Sequence, residues 1–432
     1  MASTPEVLMQ RILHPVGQGA FYTEQFLIQN TSFEHSKLIN VVLDCGSETT
    51  SLLENEIIRT FPRGSVVDML FLSHFDRDHI NGVDFLVDRC KLKTNLKPIR
   101  YLFLPLLNDQ QKIIAWLETG IDKFGINDLL ERFSAEKIIF VKPLEDSEIE
   151  TRVTRREIPD NNETEEYEYR SIPLESIQNE IESGTGVRTN EVNNWIYVPF
   201  NAVDNEIYSK FSDFLKEKRK TEIWNKINNV GISYSLNEIS ERLDKSDWEE
   251  IKKVYKEFHE KVLKDKNSTS LLVYSGPSLF LLKKINSQNW KIDSEVSYLL
   301  DPRRVTNRLL PHFYQKTSGA LYTGDINLSK LIKNKGSREE TVFTRIYNIL
   351  GPAAKYVGLI QVPHHGSLYN FNLQIIVNFP DAKDYFFSYG ENNKYGHPWH
   401  GIKILLKAAN KNIYNVTDNP DSEFFQIITI RN

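Results

Sequence analysis

The residues best suited to chemistry lie in the segment FLSHFDRDHINGV, from Phe71 to Val83. It brings His74, Asp76, Asp78 and His79 together directly after an apolar run. Imidazole and carboxylate groups are side chains that hold zinc, manganese or iron in proteins. The segment therefore predicts half of a metal site, in a turn at the end of a buried strand.

Two histidine pairs and one aspartate have the same placement after apolar, strand-like runs. His364 and His365 belong to VPHHGS, His397 and His400 to NNKYGHPWH, and Asp325 to LYTGD. Strand ends of α/β folds are where functional sites are built. The joint pattern predicts one site that is assembled from several strand ends.

The charges of these side chains suit two divalent ions. Asp76, Asp78, Asp325 and a bridging hydroxide would supply four negative charges, which match two dications. Without metal, three neighbouring carboxylates would raise one another's pKa. A water shared by two metals becomes a nucleophile near neutral pH. Asp78 is therefore predicted both as a ligand and as a catalytic residue.

The segment NNKYGHP adds groups that could act on a phosphate. His397 follows a glycine turn and could reach the metals, or serve as a general acid. Asn393, Lys394 and Tyr395 could hold phosphate oxygens, and Ser367 of VPHHGS could do likewise. Capping of turns is an equally good interpretation of these residues.

Composition narrows the class of protein. The chain has 432 residues, of which 40% are hydrophobic and 26% charged, so it can bury a large core. Its net charge of -5 gives no global basic field for nucleic acid. Local basic patches remain in RVTRR and DPRRVTNR, and both could equally be solvated faces.

Cysteine usage and hydropathy predict a cytoplasmic protein. Cys45 and Cys90 are the two cysteines and neither has a CxxC partner, which argues against a disulfide framework or a thiolate zinc site. The N-terminus lacks a long apolar region, and no apolar run approaches the length of a membrane span. We expect no signal peptide and no membrane association.

The elements that must position the site read as an α/β layer fold. LINVVLDCGS and VVDMLFLSH are predicted buried strands, and SLLENEIIRTF between them is a predicted amphipathic helix. The same texture resumes at STSLLVYS and continues through SGALYTGDI, AAKYVGLIQVPHHGS and DAKDYFFSYG.

The middle of the chain has a different texture. We predict a first core half over 8–145, a charged and mainly helical insertion over 146–266, and a second core half over 267–432. Ser246 and Glu249 form a capping box ahead of a helix with apolar residues at helical spacing. The insertion either packs on the side of the core or serves as a substrate lid or a surface for a protein partner.

The motifs together resemble the metallo-β-lactamase superfamily. Its signature HxHxDH corresponds to His74 through His79, its later GD to Gly324 and Asp325, and its downstream histidine to His364 or His365. The resemblance implies an αββα sandwich with a binuclear metal site along the sheet edges, here carrying a largely helical insertion.

The sequence looks most like one branch, the metallo-β-lactamase domain of the competence protein ComEC and its soluble relatives. The segments VGQGAF, LDCGS, LSHFDRDHINGV, NSTSLLVYS, LYTGDI, VPHHGS and SYGENNKYGHP come in the order of that branch. In it an aspartate replaces the second histidine, as Asp76 does here. Pro15 and Ala20 depart from the branch, because they occupy the two aspartate positions of DVGQGD.

The resemblance implies a set of ligands. One site would have His74, Asp76 and a bridging Asp325, and the other Asp78, His79, Asp325 and one of the HH pair. We expect only one of His364 and His365 to bind, because neighbours on an extended strand point opposite ways. An oxygen-rich first site shifts preference from zinc towards manganese.

Relatives carry Asn and Ser where the superfamily has its third histidine for the first site. The matching residues, Asn267 and Ser270, are predicted to bind substrate.

Three functions follow, of which two are enzymatic and one is not. The first is a binuclear Zn²⁺- or Mn²⁺-dependent phosphodiesterase that uses metal-activated hydroxide, with DNA or other nucleic acid as the substrate implied by the resemblance. The second is a small-molecule hydrolase of the same fold, acting on a cyclic nucleotide, phosphocholine ester or lactone. The third is a non-catalytic binding module, which the intact ligand set argues against.

Overall fold

The structure is a computed structural model that describes most of the chain. The described ranges are 6–29, 36–92, 96–108, 130–145, 153–156, 166–203, 205–217, 245–263, 269–281, 317–332 and 339–431, with single positions at 111, 112, 114, 115, 117, 222 and 225. Asn267 and the basic segment DPRRVTNR lie outside the described residues.

Strands form most of the described structure. Those up to residue 203 are β1 (Glu6–Leu13), β2 (Gly19–Gln29), β3 (Lys37–Ser47), β4 (Val67–Phe71), β5 (Ile99–Pro105), β6 (Ala135–Val141), β7 (Val153–Arg156), β8 (Glu166–Tyr169), β9 (Ser171–Pro173), β10 (Glu180–Ile181), β11 (Gly186–Arg188) and β12 (Trp195–Val203). The later ones are β13 (Thr269–Pro277), β14 (Leu279–Leu281), β15 (Gly319–Tyr322), β16 (Leu331–Ile332), β17 (Glu340–Thr341), β18 (Val357–Gln361), β19 (Asp384–Ser388), β20 (Asn412–Val416) and β21 (Phe424–Arg431).

The α-helices of the described residues lie between and after these strands. They are α1 (Thr50–Thr60), α2 (Arg77–Ile80), α3 (Val83–Cys90), α4 (Asn205–Glu217), α5 (Lys245–Phe258), α6 (Val342–Leu350), α7 (Gln374–Asn378) and α8 (His400–Ala408). Within the part of the chain that is described, none of the helices has the length and apolar character needed to cross a membrane.

Two eight-stranded sheets carry the fold. The first has the order β10-β6-β5-β4-β3-β2-β1-β21, and the second has the order β20-β19-β18-β15-β13-β12-β11-β9. Strands β3 to β6 run parallel, and so do β15, β18, β19 and β20. Each sheet therefore brings the carboxyl ends of several neighbouring strands to one edge, where loops can assemble a site.

Three apolar cores separate four layers. The side chains of β3 alternate, so that Val41 and Leu43 face the core between the sheets while Val42 faces the helices. Helices α1, α3, α4 and α5 cover the outer face of the first sheet, and α6 and α8 cover the second. This is an αββα sandwich, and it confirms the predicted fold.

Most predicted elements of the core are present. LINVVLDCGS is β3, VVDMLFLSH contains β4, and SLLENEIIRTF is α1. The later predictions correspond to β13, β15, β18 and β19. Their apolar runs are long enough to be buried on both faces, which is the pattern expected of central strands.

The described residues of 146–266 include strands as well as helices. Strand β10 joins the first sheet, and β9, β11 and β12 join the second. The run WIYVPFNAV in β12 is buried almost throughout, so apolar burial there outweighs the charged character of its surroundings. Helices α4 and α5 share a core with α1 and α3, as an insertion packed on the side of the core would.

Candidate metal centre

The predicted histidines and aspartates meet where strands of both sheets end. His74, Asp76, Asp78 and His79 follow β4, and His79 lies on the short helix α2. Asp325 follows β15. The loop after β4 is joined directly to β13 of the other sheet, because the backbone N–H of Leu271 donates to Ser73 O at 2.7 Å.

Asp325 lies at the centre of the cluster. Its Oδ2 is 3.6 Å from His74 Nε2 and 3.5 Å from His364 Nε2, while its Oδ1 is 3.7 Å from His79 Nε2. The two carboxylate oxygens therefore face different imidazoles. A carboxylate that bridges two metals has this arrangement of partners.

Two more contacts complete the cluster on either side of Asp325. Asp76 Oδ2 lies 3.6 Å from His74 Nε2, and Asp78 Oδ2 lies 3.5 Å from His365 Nε2. These separations exceed the usual range for a hydrogen bond. Two ligand atoms on one tetrahedral zinc are roughly 3.4 Å apart, given zinc–ligand distances of about 2.0–2.1 Å. The side chains are thus spaced to share ions rather than to bond to each other.

The described residues fit two ions. His74, His79 and Asp325 form one group whose ligand atoms lie within 4.8 Å of one another, and Asp78, His79 and His365 form a second. His79 Nε2 is buried and has no hydrogen-bond partner among the described residues. A buried polar atom of this kind calls for a partner, which a cation in the cluster would provide.

Hydrogen bonds on the far side of the rings fix their orientation. His79 Nδ1 lies 2.9 Å from Asp44 Oδ2, and His365 Nδ1 lies 2.6 Å from the carbonyl of Ser388. Both acceptors require a proton on Nδ1, which leaves the Nε2 lone pair directed at the centre. His74 Nδ1 lies 2.8 Å from Ser73 Oγ. That hydroxyl donates to Asp44, so it accepts from His74.

Asp44 contacts the candidate site and was not predicted from the sequence. It accepts from the Ser73 backbone N–H at 2.6 Å and from the Ser73 hydroxyl at 2.7 Å, in addition to facing His79. Its backbone has a φ of 55°, which is uncommon for a residue other than glycine. The signal available in the sequence was its place at the end of a buried strand in LDCGS.

The cluster holds buried carboxylates next to buried imidazoles, and each group shifts the pKa of its neighbours. Burial alone would raise the pKa of Asp78 and Asp325, but the surrounding imidazoles outweigh burial and hold both pKa values well below the ordinary range. Burial alone would lower the pKa of His79, but Asp44 and Asp325 raise it to about 10. The cluster therefore favours positive charge at its centre.

The HH pair does not have the extended conformation from which we expected only one of its residues to bind metal. His364 and His365 lie on a tight turn with φ values of 48° and 53°, not on an extended strand. Side chains on this turn do not alternate, so both Nε2 atoms point at site carboxylates. Gly366 closes the turn, where a Cβ would lie only 2.5 Å from Pro398.

Ser270 contacts the backbone of Asp325. Its Oγ accepts from the backbone N–H of Asp325 at 3.1 Å, and the side chain is buried. Asn370 Nδ2 holds the same peptide from the other side by donating to Asp325 O at 2.8 Å. Gly324 allows this approach, since a Cβ there would come within 2.6 Å of Ser270 Oγ.

The NNKYGHP loop borders the cluster. The ring centroids of His397 and His364 are 5.6 Å apart, and the Tyr395 hydroxyl donates to Glu48 at 3.0 Å. Asn393 caps its own turn, because its Oδ1 accepts from the backbone N–H groups of Tyr395 and His397. For Asn393 the geometry matches the turn-capping interpretation.

The other residues predicted to hold phosphate oxygens, Lys394 and Ser367, lie in different surroundings. Lys394 is exposed, and its Nζ lies 5.9 Å from the centroid of the Tyr395 ring. Ser367 is fully buried, and its Oγ has no hydrogen-bond partner among the described residues. Ser367 therefore retains capacity for one more polar partner at the HHG turn.

Comparisons with known proteins give similarities to solved structures alone. No protein-family model and no curated protein matches the sequence. A protein of Thermotoga maritima assigned to the metallo-β-lactamases is 11% identical, with a TM-score of 0.19 over 38% of this chain and 72% of that chain.

Two further solved structures are similar over the same share of this chain. Human tRNase Z, short form, is 14% identical, with a TM-score of 0.20 over 38% of this chain and 60% of that chain. The metallo-β-lactamase fold protein YhfI of Bacillus subtilis is 16% identical, with a TM-score of 0.18 over 39% of this chain and 54% of that chain. This chain thus spans less than two thirds of either protein. The αββα architecture follows from the layers and sheets of the structure itself.

Proposed function

We propose that this protein is a metal-dependent phosphodiesterase that cleaves nucleic acid. The observation that carries the proposal is the position of Asp325, whose two oxygens face separate imidazoles at 3.5–3.7 Å. With Asp76 and Asp78 on either side, the centre offers oxygen and nitrogen ligands for two divalent ions, zinc or manganese. The likeness of the motifs to the ComEC branch supports DNA as the first substrate to test.

The ligand set divides around Asp325. His74 and Asp76 lie on the side of its Oδ2, and we assign them to one ion. Asp78, His79 and His365 form the second group. When bound, the two ions would polarise the phosphodiester and activate a water for in-line attack.

Other residues of the protein orient the proposed ligands and can supply a proton. Asp44 and Ser388 keep the rings of His79 and His365 in place through their Nδ1 atoms. His397 lies beside His364 at the open side of the cluster, where its imidazole can donate a proton to the leaving oxygen. Lys394 stands on the same loop and can contact a phosphate oxygen.

An activity panel tests this function. The purified chain would be incubated with Mn²⁺, Zn²⁺ or Mg²⁺ and with single- and double-stranded DNA, RNA, cyclic nucleotides or bis(p-nitrophenyl) phosphate. The control is the double variant Asp78→Ala, His79→Ala, which removes two proposed ligands. Hydrolysis that is equal in wild type and variant would end the enzyme proposal. Hydrolysis of small diesters alone would end the nuclease proposal and leave the phosphodiesterase.

A further inference from the structure

Exposed aromatic side chains are concentrated beside the candidate metal centre. Among the aromatic residues whose burial the structure describes, three are more than a third exposed: Tyr369 at 58%, Tyr395 at 47% and Trp399 at 42%. We refer to these three residues as the aromatic rim. All three lie between the HHG turn and the start of α8.

Contacts place Trp399 and Tyr395 beside segments that carry proposed site residues, and Tyr369 follows the HHG turn in sequence. The backbone N–H of Trp399 donates to the carbonyl of Gly366 in the HHG turn at 3.0 Å. Tyr369 directly precedes Asn370, whose amide holds the Asp325 peptide. The Tyr395 ring stacks near His397 with centroids 6.4 Å apart. Trp399 and Tyr395 therefore border the cluster at the HHG turn and at His397.

Trp399 has a firm support for its ring. A Cβ built on Gly401 would lie 2.2 Å from the six-membered ring of Trp399, so the indole rests closely on that glycine at the start of α8. The glycine supports the indole on one side, and 42% of the residue remains exposed. This is the geometry of a platform rather than of a side chain left over from the core.

Charge indicates what the platform can bind. Glu48 and Glu391 stand on or beside the Tyr395 loop together with Lys394, and the chain carries a net charge of -5. A basic groove that would grip phosphates by charge alone is not formed by these residues. A ligand that gains affinity here must present flat apolar faces close to a phosphodiester. Unpaired nucleobases do so, whereas a duplex keeps its bases stacked inside.

We propose that the aromatic rim stacks the unpaired bases of a single-stranded nucleic acid and so selects single strands over duplex. This inference rests on the proposed phosphodiesterase function, and it adds the substrate class and the residues that recognise it. Base stacking on an aromatic side chain contributes about 1–3 kcal/mol per base, which corresponds to roughly 5- to 150-fold in affinity.

Equilibrium binding of matched oligonucleotides tests the rim. The full chain, with a chelator present to prevent cleavage, is titrated with a fluorescent single strand and with the same strand carrying abasic sites. The measured quantity is the ratio of the two Kd values. For wild type we expect the abasic strand to bind roughly 5- to 150-fold more weakly per stacked base. In Trp399→Ala this ratio should fall several-fold, and in Trp399→Phe most of it should remain.

Two further variants keep the test interpretable. Gly401→Ala retains the indole but displaces it, and alanine is favourable inside a helix, so a folded variant with a reduced ratio is expected. Val377→Ala removes a side chain that is 72% exposed on α7 but carries no ring, and its ratio should equal that of wild type.

The outcomes separate this inference from the function it rests on. A wild-type ratio near one, or tighter binding of duplex than of single strand, would overturn base stacking even if bis(p-nitrophenyl) phosphate is hydrolysed. Failure to hydrolyse any diester would overturn the phosphodiesterase, whereas the Kd ratio would still report on the rim. A ratio unchanged by both Trp399→Ala and Gly401→Ala would remove Trp399 from the binding surface.

Discussion

Replacing Asp44 with asparagine should weaken metal binding while leaving the fold intact. The aspartate accepts three hydrogen bonds, from the backbone N–H and the hydroxyl of Ser73 and from His79 Nδ1. Asparagine has the same shape but only one accepting oxygen. Its NH2 group must therefore face at least one of these donors.

The expected magnitude follows from that mismatch. A buried donor that loses its acceptor costs about 1–3 kcal/mol, and the lost bond here is assisted by the carboxylate charge. If His79 turns or changes tautomer to relieve the mismatch, its Nε2 no longer aims at the cluster. A cost of about 1.4–2.8 kcal/mol corresponds to a 10- to 100-fold loss of metal affinity, the range typical for partners of metal-binding histidines.

The assay is a metal titration against a chromophoric chelator, with zinc and manganese in separate experiments. Asp68→Asn is the matched control. Asp68 is also buried and also accepts a backbone N–H, from Asn40 at 2.9 Å, and it pairs with Arg100. It lies at the start of β4, whereas the cluster follows the end of that strand. We expect this control to lose stability but not metal affinity.

Equal metal affinity in wild type and Asp44→Asn would refute the reasoning. So would an equal loss in both variants, because the effect would then come from general loosening of the sheet and not from His79. A urea unfolding curve for each variant distinguishes the two cases.

Three more predictions concern the core, the pH dependence and the metal preference. Glu24→Leu should destabilise the protein by about 3–5 kcal/mol in urea unfolding, because it leaves Arg11 buried without its carboxylate partner at 2.8 Å. Burial tends to raise the pKa of Glu56. The hydrogen bond with His14 and the charge of His14 outweigh burial, together with Arg59, so the pKa of Glu56 lies below its ordinary value. Its contribution to stability is therefore full above about pH 4.3 and is lost as the pH falls through the lower folded value, so Glu56→Gln should flatten this acid limb of the unfolding midpoint. Asp76→His should shift the metal content of protein purified in mixed metals from manganese towards zinc, since imidazole replaces an oxygen ligand.

Each of these predictions has an outcome that contradicts it. A double variant Arg11→Met, Glu24→Leu that is no more stable than Glu24→Leu alone would show that the uncompensated arginine is not the cause. An acid limb of the same steepness in Glu56→Gln would place the pH dependence elsewhere. Unchanged metal content in Asp76→His would count against Asp76 as a ligand.

Much of the candidate site was predictable because its residues lie in a few short segments of the sequence. His74, Asp78 and His79 lie in one segment after one apolar run, and the VPHHGS and LYTGD segments carry the same signal of polar residues at a strand end. What could not be predicted is the orientation of the HH pair. It depends on two consecutive residues with positive φ, and that conformation is uncommon for residues other than glycine.

The sequence by itself determined the candidate ligand atoms and the layers of this protein. Residue types limit those atoms to oxygen and nitrogen, and apolar runs long enough for two-sided burial predict the central strands. Tertiary structure alone decided which groups stand behind the ligands, because Asp44 and Ser388 reach His79 and His365 from distant parts of the chain. It also decided which aromatic side chains stay exposed. Helical spacing, strand alternation and composition indicate which residues can be buried. Only the packing shows that Tyr369, Tyr395 and Trp399 remain exposed.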